Sequence, residues 1–348
     1  MKNTLLNILL QLVVLTVVSS CSNNEEPIEG NTVYINSSDL YGCWLLKGNS
    51  PTMALIEFEN CSTEYGGVYF HGYYEIVEYT ISGNSYKFNG HYWGGYNYIG
   101  NGKVQIGKPH VYYPSLDNNS LLYYDDIVDT PMIYPDIAIK SLDGKSMKLS
   151  IAGKNFVGTK NYEYVDSDSQ GGVVKQEFAN LGLSVNWAKC NIGANKADEC
   201  GGYFGWGDTS GKKTSTNYDD YPCSIENMPS TIINTSYDIA KTAWGSPWRL
   251  PSFAEMQELS IGCISEMLTY NGIEGKKYIG ITGESIFLPN AGYRDGENVE
   301  CISHCSRYWS GELYHNNYNL AWGMLSGHTG GWYEHRYIGC SVRSVRDK

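Results

Sequence analysis

Residues 248–259 read Trp248-Arg249-Leu250-Pro251-Ser252-Phe253-Ala254-Glu255-Met256-Gln257-Glu258-Leu259. Ser252 followed three positions later by Glu255 is a capping box. The serine hydroxyl accepts from the Glu255 amide and the carboxylate accepts from the serine amide, so a helix starts here, with Pro251 just outside the cap. Met256, Leu259, Ile261 and Cys263 form its apolar stripe. Upstream, Thr235 to Trp244 predicts a second short helix, stopped by Gly245. Glu255 and Glu258 are an i,i+3 carboxylate pair. The cap already uses Glu255 and spacing places no partner base, so paired-carboxylate catalysis is not expected.

Outward from this stretch the chain turns β-leaning. Its 348 residues predict two domains at about 150 residues each. Charged residues make up 18%, hydrophobic ones 42% and aromatic ones 14%, with 30 Tyr, 9 Trp and 39 Gly, a mix too apolar for a solvated disordered chain. The net charge of -12, from 25 Lys+Arg against 37 Asp+Glu, repels a phosphate backbone, and nucleic acid is not an expected partner. No apolar run reaches the roughly 18 residues of a membrane-spanning helix. A polar break at 166–176 (DSDSQGGVVKQ) divides a domain at 33–165 from one at 177–348, which holds seven of the nine tryptophans.

Residues 33–165 predict short strands at Leu55–Phe58, Tyr74–Ile81, Tyr86–Phe88, Met147–Ile151 and Tyr162–Val165. The turns fall at Ser82-Gly83-Asn84 and Ala152-Gly153-Lys154-Asn155. Repeated short strands suit a barrel or sandwich. Leu40-Tyr41-Gly42-Cys43-Trp44 contains a Gly-x-Trp, and Ile139, Leu142, Met147 and Leu149 follow a late Ile-x-x-Leu-x-x-x-x-Met-x-Leu pattern. Together they resemble the lipocalin-like domains of Bacteroidetes lipoproteins, which implies a barrel with Trp44 closing one end. The Tyr/Gly-rich stretch His91–Tyr124 departs from a compact barrel. Carriage of a small apolar ligand would require a cavity inside it.

At the start, Lys2 precedes an apolar run from Leu5 to Val18, a secretory signal over residues 1–20. Val18-Ser19-Ser20-Cys21 resembles a bacterial lipobox, which implies cleavage before Cys21, lipidation of its thiol and anchoring to a membrane. The polar residues 21–32 then form a lipidated tether. Ser22-Asn23-Asn24-Glu25-Glu26 resembles an acidic signal that sends some Bacteroidetes lipoproteins to the cell surface, implying a surface-facing outer-membrane protein.

In the second domain, Leu183-Ser184-Val185-Asn186-Trp187-Ala188-Lys189-Cys190-Asn191-Ile192-Gly193-Ala194 is followed by Gly202-Tyr203-Phe204-Gly205-Trp206-Gly207 and by Trp248 to Leu259. Ser285 to Arg294, Tyr308-Trp309-Ser310 and Ser341-Val342-Arg343-Ser344-Val345 complete six ordered blocks. Over residues 178–348 they resemble the Fibrobacter succinogenes major paralogous domain, with Asn290 and Ser344 departing from its usual alanine and proline. The resemblance implies a C-type-lectin-like α+β fold, with two early helices and a last strand returning near the start, in exported proteins linked to adhesion or recognition. The expected fold class is thus an all-β lipocalin-like barrel or sandwich followed by an α+β C-type-lectin-like domain. The Glu-Pro-Asn, Gln-Pro-Asp and Trp-Asn-Asp motifs of calcium-dependent sugar binding are missing, and no cofactor is implied.

Nine cysteines remain beside Cys21, an odd number, so at least one stays outside any internal pairing. Cys43 with Cys61 is the pair proposed in the first half; connectivity in the second half is open. Cys301-Ile302-Ser303-His304-Cys305 carries zinc-ligand types, but its spacing fits no standard finger and an exported chain favours disulfides. There is no Gly-x-Ser-x-Gly elbow, His-Glu-x-x-His or phosphate loop, and no enzyme is expected. Tyr308–Tyr337 is expected to be a loop, with Trp309 as frame and Tyr314, His315, Asn316, Asn317, Tyr318, Asn319, Trp322 and Trp332 as ligand-binding residues. Amphipathic rings give contact area at low rotamer entropy while amides adapt their hydrogen bonds. Core packing is the competing role for Trp322 and Trp332. The expected partner is an external glycan or protein. The alternative is a structural or assembly component of the envelope or fimbriae.

Overall fold

The computed structural model describes residues 40–48, 52–59, 63–65, 68–70, 72–100, 103–106, 110–113, 122–124, 137–151, 154–160, 175–212, 214–217, 221, 228–315, 317–325 and 331–348. The chain is mostly β and divides into two compact units. One comprises Met1–Ser82, Asn89–Tyr113 and Tyr123–Tyr162; the other comprises Gly83–Phe88, Pro114–Leu122 and Glu163–Lys348. No described helix is long and apolar enough to cross a membrane.

The strands running up to Lys160 are β1 (Gly42–Gly48), β2 (Thr52–Glu59), β3 (Thr63–Tyr65), β4 (Val68–Phe70), β5 (Gly72–Ser82), β6 (Ser85–Gly100), β7 (Lys103–Ile106), β8 (His110–Tyr113), β9 (Leu122–Tyr124), β10 (Ile137–Leu142), β11 (Ser146–Ile151) and β12 (Lys154–Lys160). β3 pairs with β4. The other ten share a sheet in the order β5-β2-β1-β12-β11-β10-β7-β6-β8-β9, and β6 also pairs with β5. The pairing therefore runs from β5 to β6 and back to β5, with β8 and β9 beyond that circuit.

Period-2 alternation sets the inner face. Trp44 stands opposite Ile56 and Leu46 opposite Ala54, while Ile56 faces Ile76 and Phe58 faces Tyr74. These side chains pack with Tyr96, Val104, Ile139, Met147 and Leu149 in one core, with Leu142 at its margin. Trp44 is fully buried, donates from Nε1 to the Leu40 carbonyl at 2.8 Å, and has Lys160 Nζ 5.1 Å from its ring.

The elements run longer than local sequence suggested because pairing extends them. Tyr86–Phe88 belongs to β6, whose further length pairs with β8 through His91–Trp93 and with β7 through Tyr96–Gly100. Lys154 and Asn155, expected in a turn, sit in β12 opposite Ile151 and Ser150. The expected strand Tyr162–Val165 lies outside the described residues, as do Cys21 and Cys61, so neither lipidation nor the Cys43–Cys61 pair is described.

The later elements are β13 (Phe178–Ala179), β14 (Asn186–Ala188), α1 (Ile239–Trp244), β15 (Trp248–Arg249), α2 (Phe253–Gly262), β16 (Ile264–Tyr270), β17 (Ile273–Ile279), β18 (Ser285–Pro289), β19 (Tyr293–Asp295), β20 (Asn298–Glu300), β21 (Arg307–Tyr314), β22 (Asn317–Leu325), β23 (Trp332–His335) and β24 (Val345–Arg346). They form four sheets, β13-β14-β24-β15, β16-β17-β18, β19-β20 and β21-β22-β23. The late strand β24 lies between β14 and β15.

The capping box of α2 is present in both directions, Glu255 N to Ser252 Oγ at 3.2 Å and Ser252 N to Glu255 Oε2 at 2.8 Å. Helix α1 begins at Ile239 rather than Thr235. Asp238 caps it, accepting from Ala240 N and Lys241 N, and also accepts from Asn234 N and Leu250 N. That buried carboxylate draws residues 234–238 into turns around itself, which prevents an earlier helical start.

Among the described residues, two large apolar clusters and a small one around Cys190 and Ala194 support this unit. Leu181, Trp187, Met256, Leu259, Tyr278, Ile286, Leu288 and Val345 lie in one large cluster, and Phe204, Trp206, Ile232, Leu250, Trp309 and Val342 in the other.

Candidate recognition face

Strands β21, β22 and β23 overturn the expected loop between Tyr308 and Tyr337. Arg307 pairs with Leu325, Tyr308 with Met324 and Trp309 with Gly323, and β22 continues to β23 through Trp322 opposite Tyr333. A register irregularity between Trp309 and Leu313 breaks the simple alternation. The reversal between β21 and β22 passes through His315, whose φ of 45° is left-handed.

One side of this sheet is core. Tyr308, Trp309 and Leu313 are buried, and Trp309 donates from Nε1 to the Phe204 carbonyl at 2.7 Å. Trp332 packs toward it, with ring centroids 6.2 Å from Trp309. Arg307 ties the sheet's two outer strands: its guanidinium donates to Glu334 at 2.6 Å and lies 3.4 Å above the Tyr293 ring.

The remaining rings gather into a continuous cluster. Phe253, first residue of α2, stacks on Trp322 at 4.2 Å and 11°. Tyr314 meets Trp322 at 4.6 Å and Tyr333 at 4.0 Å, and His315 lies 4.5 Å from Tyr314 and 5.2 Å from Trp322. Glu312 fixes the Phe253 end by accepting from its backbone N–H at 2.7 Å. Phe253, Tyr314 and Trp322 are half-buried, whereas His315 and Tyr333 are exposed. Rings held in such edge and stacked contacts are rigid, and their outward surfaces offer apolar area with little entropy left to lose.

Tyr318, 53% exposed, stands at the start of β22. Its carbonyl accepts from Arg336 at 2.7 Å, and Arg336 is itself buried with its guanidinium 4.9 Å from the Trp206 ring. The backbone is thus pinned to the frame while the phenol faces solvent. Asn317 Oδ1 accepts from Asn319 N at 2.9 Å, closing a local turn, and both residues are exposed.

Of the expected contact residues, the structure brings Tyr314, His315 and Trp322 together and sets Asn317, Tyr318 and Asn319 at the same hairpin end. Asn316 lies outside the described residues. Trp332 sits apart, half-buried against Trp309 and Arg307. Sequence reasoning missed Phe253 and Tyr333 as members of the cluster. The sequence shows Phe253 only as the residue after a cap, and Tyr333 carries no signal beyond its aromatic neighbourhood, because its ring reaches Tyr314 across the intervening strand β22.

Arg249, Arg294 and Arg343 have internal partners. Arg249 donates to both oxygens of Glu255 and to Asp347, Arg294 to the Gly211 carbonyl, and Arg343 to Asn191, Ala188 and Phe287. No family model, curated protein or solved structure matches the chain.

Proposed function

We propose that the chain is a non-catalytic binding or adhesion lipoprotein of the outer membrane, anchored through Cys21 and facing outward. Its second domain recognises an external glycan or protein. One observation carries this reading: the Phe253–Trp322–Tyr314–Tyr333 ring cluster, with Tyr333 and Tyr318 presented on a braced hairpin. Rigid aromatic anchors of this kind dominate recognition surfaces. Two fold-level assignments accompany it. The circuit of strands from β5 back to itself, with Trp44 in its core, supports a lipocalin-like first domain. Two helices followed by a late strand beside β14 support a C-type-lectin-like second one. The packed residues inside the strand circuit give no support to apolar-ligand carriage.

The test is a screen of the mature chain, made soluble by Cys21→Ser, against arrayed glycans and extracellular matrix proteins, with calcium and with chelator. Tyr318→Ala combined with Tyr333→Ala is expected to weaken a hit at least about tenfold per anchor lost while leaving the urea midpoint in place. A hit that survives the double substitution would remove this face from the reading. Binding only to the cell's own envelope proteins would replace recognition with assembly.

A further inference from the structure

The segment from Glu300 to Ser306 belongs neither to the aromatic face nor to the apolar clusters of its unit. It holds the disulfide bridge of the described residues, Cys301 to Cys305, with a sequence separation of 4 and Cα atoms 5.6 Å apart. Cys301 is exposed, as are Ile302 and His304, and Cys305 is half-buried. By contrast Cys190, Cys263 and Cys340 are fully buried, and burial pushes the Cys340 thiol far above its ordinary pKa.

The turn does not depend on the bridge for its shape. The Cys301 carbonyl accepts from His304 N at 3.2 Å and from Cys305 N at 3.1 Å, which closes the turn through the backbone. Ser303 N donates to the Asn290 carbonyl and Gly292 N to the Cys305 carbonyl, each at 2.8 Å, so the turn is also docked from outside. Gly292 permits that approach: a Cβ there would stand 2.1 Å from the Glu300 carbonyl oxygen. A covalent link across so short a loop also restricts the unfolded chain less than a long-range bridge does. Structural disulfides resist reduction, while exposed ones are the labile and regulatory class.

We propose that Cys301–Cys305 is a thiol–disulfide exchange site, open to a solvent thiol and in its oxidised state when bridged. A thiolate from outside attacks Cys301 Sγ, a new sulfur–sulfur bond forms, and the bond to Cys305 breaks. Cys305 leaves as a thiolate and takes a proton from water. A second external thiolate then attacks the external sulfur of that mixed disulfide and releases Cys301 as a thiolate, which is protonated in turn. The two external thiols are oxidised to one disulfide, and the protein pair is reduced by two electrons.

The full mature chain is exposed in native buffer to millimolar reduced glutathione, alkylated, and mapped by peptide mass spectrometry. Cys301 and Cys305 are expected to take label at least about tenfold faster than Cys263 and Cys340. Cys305→Ser, treated with oxidised glutathione, is expected to trap a glutathione adduct on Cys301. Labelling of the pair only after denaturation would overturn the proposal. A folded Cys305→Ser chain that takes no adduct would do the same. Should that variant fail to fold, the labelling of the unaltered chain decides alone.

Discussion

Arg343 is completely buried, and its donors meet neutral oxygens: Nε bonds Asn191 Oδ1 at 2.8 Å, and the terminal nitrogens bond the Ala188 and Phe287 carbonyls at 3.0 and 2.8 Å. One planar fork thus joins β14, β18 and the approach to β24. A lysine ammonium cannot span three such directions. Arg343→Lys is expected to cost about 3 kcal/mol in urea unfolding, since buried acceptors lose their donors. Glu258 gives a second residue-scale test. It accepts from Ser184 N at 2.9 Å and from the Ser184 hydroxyl, yet burial outweighs these bonds and pushes its carboxyl above the usual glutamate range. The native state therefore holds more protons than the unfolded one between the ordinary and the raised value, and stability falls as pH rises through that window. Glu258→Gln removes this slope. The urea midpoint of the native chain relative to Glu258→Gln is expected to be highest below the window and to decline across it.

Helix α2 joins cap, sheet and recognition face. Ser252→Ala removes one cap bond and is expected to cost about 1 kcal/mol. Glu255→Ala also takes from Arg249 its two-pronged carboxylate partner, 2.9 and 2.7 Å from the terminal nitrogens, leaving Asp347 and the Leu250 carbonyl, and is expected to cost about 2 kcal/mol by thermal melt. If the two substitutions cost the same, the Arg249 contact contributes nothing. The start of α2 was legible because a capping box is complete within four residues. The start of α1 was not, because its cap residue, Asp238, is held by Leu250 N from beyond the helix. The β21–β23 sheet was misread as a loop for a similar reason. Gly311, Gly323 and Asn317 interrupt the apolar alternation, and the information that pairs Trp322 with Tyr333 resides in two separate stretches of sequence. The residue types of the candidate face were legible in Tyr314 to Trp322. Its membership was not, since Phe253 joins it from a different element.

For the whole molecule, the lipidation expected at Cys21 and the folded units make separable demands. Cys21→Ala is expected to move the protein from the detergent phase to the aqueous phase in Triton X-114 partitioning, with no change in circular dichroism, because no described strand or helix includes that residue. Retention in the detergent phase would refute lipid anchoring at this cysteine. The position of β24 has a consequence for how the chain is made. Val345 is the partner of both Trp187 and Arg249, and Arg346 of both Asn186 and Trp248. A ribosome delivers β14 and β15 long before it delivers the strand that joins them. The four-stranded sheet therefore stays incomplete until residues 345 and 346 are made, and its closure is a late, non-local event of the slow kind. Until residues 345 and 346 emerge, β14 and β15 lack the strand that joins them, and the final register of the sheet is unset.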